Sequence, residues 1–524
     1  MLRVDPAARF GYAFLRATDP LTQRHGPIRF LSRPGRKEFF MRVKKAARRV
    51  AGVLLLFLMG WLAACAPNPV TGERELMLLS DADEVRLGQQ TDKEIVKTYI
   101  LYQDPDLEQY IGQLGRRLAS LSHRPQLSYH FKVLDTPVVN AFAVPGGYVY
   151  LTRGILSYIN DEAELAGVMG HEIGHITARH SAHQYSQLQV TQLAFSLGMA
   201  LGEGFRQFAG LAEAGVSMLF LRFSRDNERQ ADDLGMLYAT RAGLDASRMA
   251  DFFETLGRLN PTSDRSGLDS WFSTHPNPPD RIRVIKTRAP DLARAQGLTH
   301  PQINQRAYLN KIDGLKFGED PRQGYVAQGT FYHPDLSFQF PVPEGWTLQN
   351  TPKQVKMVNA QKDALILFSL APGGSPEETA RQFASQTHAR VLRAESVHVN
   401  KLAAQRLVSD VDSSNGSMRI LSYFIQKDER IYMFHGLTAQ ARFQQHEQVF
   451  LSTMDHFQDL TDPRRLNVKP SLLRVLAARR TAPLRQALRD LGTPESGLEE
   501  AAILNGKHLD DPVQAGSLLK IVAR

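Results

Sequence analysis

One cysteine, Cys65, stands in 524 residues. A chain with a single thiol forms no internal disulfide, even in an oxidising compartment. A lasting excess of one charge is missing as well. The formal net charge is +9, but residues 1–64 hold 13 of the 63 Lys+Arg and 3 of the 54 Asp+Glu, a net of +10. The remaining 460 residues carry 50 basic and 51 acidic side chains. Bulk basicity therefore gives no argument for nucleic-acid binding; it belongs to a targeting segment. Long hydrophobic runs are scarce too. Residues 50–64 form a charge-free apolar stretch of fifteen, short of the about 20 residues that a spanning helix needs and the size of a signal h-region.

That stretch follows a basic n-region at 41–49 and ends in Leu62-Ala63-Ala64-Cys65, which resembles a bacterial lipobox. The resemblance implies a lipid on Cys65 and a mature chain that starts there, anchored to a membrane and not spanning it. It also implies that Ala66 permits passage to the outer membrane. Residues 1–40 read as an upstream extension, with Met41 the better start of a signal peptide (41–64). Residues 65–74, rich in turn formers, read as a tether.

The chemistry is concentrated in His171-Glu172-Ile173-Gly174-His175, an H-E-x-x-H sequence inside an apolar, helix-compatible run. On a helix, residues four apart share a face, so both imidazoles reach one metal ion, and Glu172 lies beside its open position as a general base. A catalytic zinc takes three protein ligands. The metzincin extension is excluded, because Ala178 and Ser181 stand where it needs Gly and His; His180 and His183 read as polar residues of a helix surface. The third ligand comes from Ser224-Arg225-Asp226-Asn227-Glu228-Arg229-Gln230-Ala231-Asp232. There Glu228 can bind the metal, and Asp232, four residues on, can hold the far ring nitrogen of a ligand histidine.

These two stretches resemble the M48 family of zinc metallopeptidases, of the gluzincin group. Two more agree: Asn140-Ala141-Phe142-Ala143-Val144-Pro145-Gly146-Gly147-Tyr148-Val149-Tyr150, and His275-Pro276-Asn277-Pro278-Pro279-Asp280-Arg281. The likeness, which spans roughly 75–290, is greatest to periplasmic lipoprotein members of the family. It implies one Zn2+ held by His171, His175 and Glu228, with Glu172 taking a proton from the attacking water. His275 or Arg281 then serves as oxyanion donor, or His275 fills the open metal position as a gate. By analogy with gluzincins, Gly147, Tyr148, Val149 and Tyr150 belong to an edge strand that pairs with an extended peptide.

The fold class expected is α+β: a mainly helical zincin-like domain with a small edge sheet (75–300), a strand-rich α+β region (325–460) and a small C-terminal module (468–524). Helices are expected at 81–101 and 105–121, and two strands joined by a turn within 129–151. The apolar stretch 188–221 reads as core, the alternative being a lid or membrane-facing hairpin. Beyond 325, strands are expected at 336–340, 364–370, 418–424 and 430–434, with helices near 375–387 and 441–454. The last module weakly resembles a LysM glycan-binding unit, which implies a peptidoglycan contact, although the usual opening Gly-Asp-Thr is absent. No tetratricopeptide period is present, a departure from the lipoprotein members. The function implied is zinc-dependent hydrolysis of peptide bonds in unfolded or misassembled envelope proteins, in the periplasm of a Gram-negative bacterium. The alternative is a chaperone-like or scaffolding lipoprotein; the intact Glu172 argues against it, since a structural site needs no general base.

Overall fold

The first helices follow from their caps. Ser80 and Asp83 form a capping box at α1 (Asp81–Thr98), and Asp104 caps α2 (Pro105–Ser120), whose first residue is proline. α2 turns Leu107, Ile111, Leu114 and Leu118 into the core. Both helices stand where the periodicity puts them, α1 ending three residues early because Tyr99 is extended. The computed structural model describes residues 65–198, 223–259, 271, 275, 280–371, 374–413 and 416–523. The expected extension and signal peptide (1–64), residues 199–221 of the apolar stretch and 276–279 of the downstream motif lie outside the described residues. Cys65 begins β1 (Cys65–Pro67), which pairs with β2 (Arg74–Leu76), so residues 65–74 form a hydrogen-bonded ribbon.

Three strands, not two, stand in the stretch just ahead of the H-E-x-x-H helix: β3 (His130–Leu134), β4 (Ala141–Val144) and β5 (Tyr148–Thr152). β4 and β5 make a hairpin across Gly146 and Gly147, whose φ angles are +82° and +97°. A Cβ there would lie 2.7 Å and 2.3 Å from the carbonyl oxygens of Glu84 and Ser128, so only glycine fits. β3 pairs with β5 in parallel, and the sheet order is β3-β5-β4. The reading of Gly147, Tyr148, Val149 and Tyr150 as part of an edge strand is therefore corrected. β5 is the central strand, paired on both sides and buried along its length; the outer strands beside it are β3 and β4.

After α3 (Arg153–Tyr158), Asp161 caps α4 (Glu162–Thr177), which carries the H-E-x-x-H residues and is buried from Ala163 to Thr177. α5 (His180–Gly198) and α6 (Arg225–Arg241) follow. α4 and α6 touch through glycines: a Cβ on Gly170 would lie 3.0 Å from the Gly235 backbone. That closeness brings side chains of the two helices to one point. α7 (Arg248–Gly257), α8 (Asp280–Ala295) and α9 (Gln305–Ile312) complete this region. Its core runs past residue 300 and includes Tyr308, Leu309, Ile312 and Leu315, together with Leu473 and Leu504 from the C-terminal module.

β6 (Lys316–Phe317) pairs with Ser471–Ala477, which pairs with Leu518–Ala523, so the chain returns to the first region after a long excursion. The excursion holds a seven-stranded antiparallel sheet made of Thr347–Asn350, Gln354–Val358, Ala364–Ala371, Arg390–Val399, Leu402–Ser413, Gly416–Lys427 and Arg430–Ala439. Helices Pro376–Gln386 and Phe443–Met454 stand where expected, and a separate core is rich in phenylalanine. The C-terminal module runs strand, helix, helix, strand around a small core of its own. The fold is α+β, helical first and strand-rich after. No helix among the described residues is long and apolar enough to cross a membrane.

Candidate active site

α4 places His171 and His175 on one face, with their Nε2 atoms 3.1 Å apart. α6 brings Glu228 against them: its carboxylate oxygens lie 3.5 Å from His175 Nε2 and 3.7 Å from His171 Nε2. His275, 104 residues beyond His171, completes the group. Its Nδ1 is 2.9 Å from Glu228 Oε1 and 3.3 Å from His171 Nε2, and the Trp271 ring stacks on it at 4.3 Å. One donor atom from each of these four residues falls within 4.8 Å of the others. Three nitrogens and a carboxylate gathered this tightly are the donor set of a divalent transition metal.

Each donor is held from behind. His171 Nδ1 donates to Asp232 Oδ1 at 3.0 Å. Asp232 is itself fixed by Arg281, whose Nε and Nη2 donate to its two oxygens at 2.7 Å and 2.6 Å. Arg281 Nη1 lies 3.0 Å from Glu228 Oε2, and the guanidinium packs over the Phe253 ring. The reading of Arg281 as oxyanion donor is corrected on this ground: its guanidinium is committed to two carboxylates and positions Asp232 and Glu228. The placing of His180 on a helix surface is corrected too. It is buried, 3.0 Å from His175 Nδ1 and 2.8 Å from Gln230 Oε1. His183, by contrast, is partly exposed.

Glu172 sits beside the cluster, its Oε1 3.7 Å from His275 Nε2 and without a hydrogen-bond partner. Burial pushes its carboxyl above the usual range, partly offset by His275 and His171. Burial holds His175 well below the ordinary imidazole value and pushes His180 down to about 4. Neutral imidazoles are the ligand form, and a carboxylate made more basic by burial suits proton transfer. All of His171, Glu172, His175, Glu228 and His275 are at most 2% exposed, so the cluster is closed from solvent. Beside it, a small pocket is lined by Ala143, Val144 and Pro145 of the β4 end and by His175, Ile176 and Ala182.

Sequence spacing finds His171, Glu172, His175, Glu228 and Asp232, and the fold brings all five together with His275 and Arg281. It misses Trp271, Gln230, His180 and the parallel pairing of β3 with β5. Only Gln230, which lies between Glu228 and Asp232, carried a hint.

A family model described as peptidase family M48 matches residues 105–289. The chain is 33% identical over 220 residues to the β-barrel assembly-enhancing protease of Escherichia coli (strain K12), covering 40% of this chain and 45% of that protein. The enzyme of the same name from Yersinia pestis is 30% identical over 258 residues, 48% of this chain and 52% of its own. The mitochondrial metalloendopeptidase OMA1 of Arabidopsis thaliana is 32% identical over 175 residues, 32% of this chain and 33% of that one. The chain spans about half the length of the β-barrel assembly-enhancing proteases it matches. Between α2 and α8, it carries a peptidase domain of family M48.

Proposed function

We propose that the chain is a zinc-dependent endopeptidase that cleaves unfolded or misassembled proteins of a bacterial envelope. The observation that carries this reading is the convergence of His171, His175 and Glu228 beside a buried Glu172 with a free carboxylate oxygen. Zinc in this donor set would polarise the scissile carbonyl and lower the pKa of a bound water to about 7. Glu172 takes the proton of the attacking water and returns it to the leaving amine nitrogen. Asp232 keeps His171 in the tautomer that turns Nε2 toward the donor cluster, and Arg281 holds Asp232 and Glu228 in register. The outer strand β4 and the small pocket beside it support an extended peptide lying along residues 141–144, paired by its main chain. The role first given to Gly147–Tyr150 passes to this strand, with β5 its buried support.

His275 supports a gate more than an oxyanion donor, since its Nδ1 already lies among the donor atoms. A gate predicts that His275→Ala raises peptide cleavage; a donor predicts a fall. The envelope setting draws on the lipobox-like sequence before Cys65 and on the relatives' name. A periplasmic protein lipidated on Cys65 and held at the outer membrane follows from the same reading. The strand-helix-helix-strand module at the C-terminus supports a peptidoglycan contact, which sedimentation with purified sacculi tests.

The test of the main reading is cleavage of casein by residues 66–524 beside the Glu172→Gln variant, with zinc assayed in both. Cleavage by wild type alone, with equal zinc, upholds it. Equal zinc with no cleavage by either, even after His275→Ala, favours the second reading, a chaperone-like lipoprotein; the closure of the site from solvent is what speaks for that one.

A further inference from the structure

The two histidines of α4 are held from behind by different partners. His171 meets a carboxylate, Asp232. His175 meets another imidazole: its Nδ1 lies 3.0 Å from His180 Nδ1, and His180 Nε2 lies 2.8 Å from Gln230 Oε1. An amide oxygen only accepts, so His180 carries its proton on Nε2 and donates it to Gln230. His180 Nδ1 is then the acceptor, and His175 Nδ1–H donates to it. This leaves the lone pair of His175 on Nε2, facing His171 and Glu228.

A continuous helix could not make this contact. Five residues along a helix turn the side chain about 140° from its starting direction, so His180 would point away from the outer nitrogen of His175. The chain breaks at Arg179 instead, which takes a left-handed φ of +58° between α4 and α5. Arg179 has a Cβ and does not adopt this conformation by default. Its buried guanidinium is pinned by Glu84 and donates to Leu79 O at 2.7 Å, and Glu84 also accepts from Arg124 at 2.8 Å. This anchored turn folds His180 back under His175. The Phe223 ring, 4.0 Å from the His175 ring centre to centre, packs beside it.

We propose that His180 is a positioning residue: a relay from Gln230 through His180 fixes the tautomer and ring plane with which His175 offers Nε2 to the metal. The proposal rests on the reading that His171, His175 and Glu228 hold zinc. Both ring nitrogens of His180 are engaged, so it is not itself a ligand.

The experiment is zinc titration of the metal-stripped full chain against a chromophoric chelator. His180→Ala is expected to weaken zinc binding about 10- to 100-fold. Gln230→Leu removes only the final acceptor and is expected to weaken it about 3- to 10-fold. Gln230→Glu restores an acceptor and is expected to bind at least as tightly as wild type. A merely structural role would not order the Gln230 pair in this way. Nitrogen-15 spectra of the metal-free protein add an independent readout: His180 carries its proton on Nε2 in wild type and becomes a mixture of tautomers in Gln230→Leu. Should His180→Ala fail to fold, the Gln230 pair and the spectra decide. Wild-type zinc affinity in both His180→Ala and Gln230→Leu overturns the relay and leaves the metal site standing. Absence of zinc binding by wild type overturns the metal reading and the relay with it.

Discussion

The region that carries the H-E-x-x-H helix gathers buried ionisable side chains at one point, whereas the centre of the strand-rich region is aromatic. In the first, His171, Glu172, His175, Glu228, Asp232, His275 and Arg281 are all buried and in contact with one another. Each such group loses hydration and is tolerated only because others partner it. In the second, the centre is aromatic: Phe338 lies within 5.1–5.4 Å of Phe368, Phe457 and Tyr432, centroid to centroid. Its half-buried His435 stands apart from any such cluster, hydrogen-bonded to Ser422 under the Phe383 ring. Concentrated ionisable burial is unfavourable for folding and favourable for chemistry, so it marks where the reaction sits. Aromatic burial is favourable for folding and chemically inert.

Glu172→Gln should break the contrast most sharply. It keeps the shape and removes the base, so casein cleavage is expected to fall about 10²- to 10⁴-fold with zinc content and melting temperature unchanged. A variant that retains activity would remove Glu172 from the mechanism. Phe338→Ala is the converse. It should cost about 3–5 kcal/mol in urea unfolding and leave zinc affinity as it was. Loss of zinc binding in that variant would show that the two regions do not divide the work as their cores suggest. Asp232→Asn comes next. It weakens the hold on His171 Nδ1 and the pairing with Arg281, and zinc affinity is expected to fall about 10- to 100-fold. An unchanged affinity by chelator competition would mean that His171 needs no support from behind.

What was legible in the sequence was local. Four-residue spacing put His171 with His175 and Glu228 with Asp232, because one helix turn decides both. Amphipathic periods gave α1 and α2 for the same reason. His180 was not legible: nothing in the sequence marks Arg179 as left-handed, since the residues that pin it, Glu84 and the Leu79 carbonyl, lie about 100 positions upstream. The position of β5 was misread because its second partner, β3, pairs in parallel across a loop, and parallel pairing has no turn signature. In the strand-rich region, Arg390–Val399 escaped because it is an outer strand exposed on both faces for most of its length, which erases the alternation that reveals a half-buried strand.

Lys520 mixes the two kinds of burial and gives the smallest of these tests. It belongs to the C-terminal module, whose core is otherwise apolar, yet it is fully buried against the H-E-x-x-H region. Its Nζ donates to Ser157 O at 2.7 Å and Ile159 O at 2.8 Å, just ahead of the Asp161 cap of α4. Burial lowers its pKa from 10.5 to about 7, opposed by Glu164 and Asp161. In the unfolded chain the amine keeps its proton up to about pH 10.5, so between about 7 and 10.5 the unfolded state binds more protons and stability rises with pH. Glu164, pushed up to about 8 chiefly by burial, acts the other way. Its folded state holds the extra proton from about pH 4.5 to 8, so that contribution to stability falls as pH rises. Glu164 is present in both wild type and Lys520→Met, and the lysine charge lowers its pKa, so the difference between them reports the lysine together with its coupling to Glu164. Wild type should gain melting temperature relative to Lys520→Met from pH 7 to pH 10, by roughly 1 °C for each kcal/mol recovered in a chain of this size. A difference that stays flat over that range would mean the amine remains charged in the fold, held by Asp161 and Glu164 as an ionic clamp between the module and the start of α4.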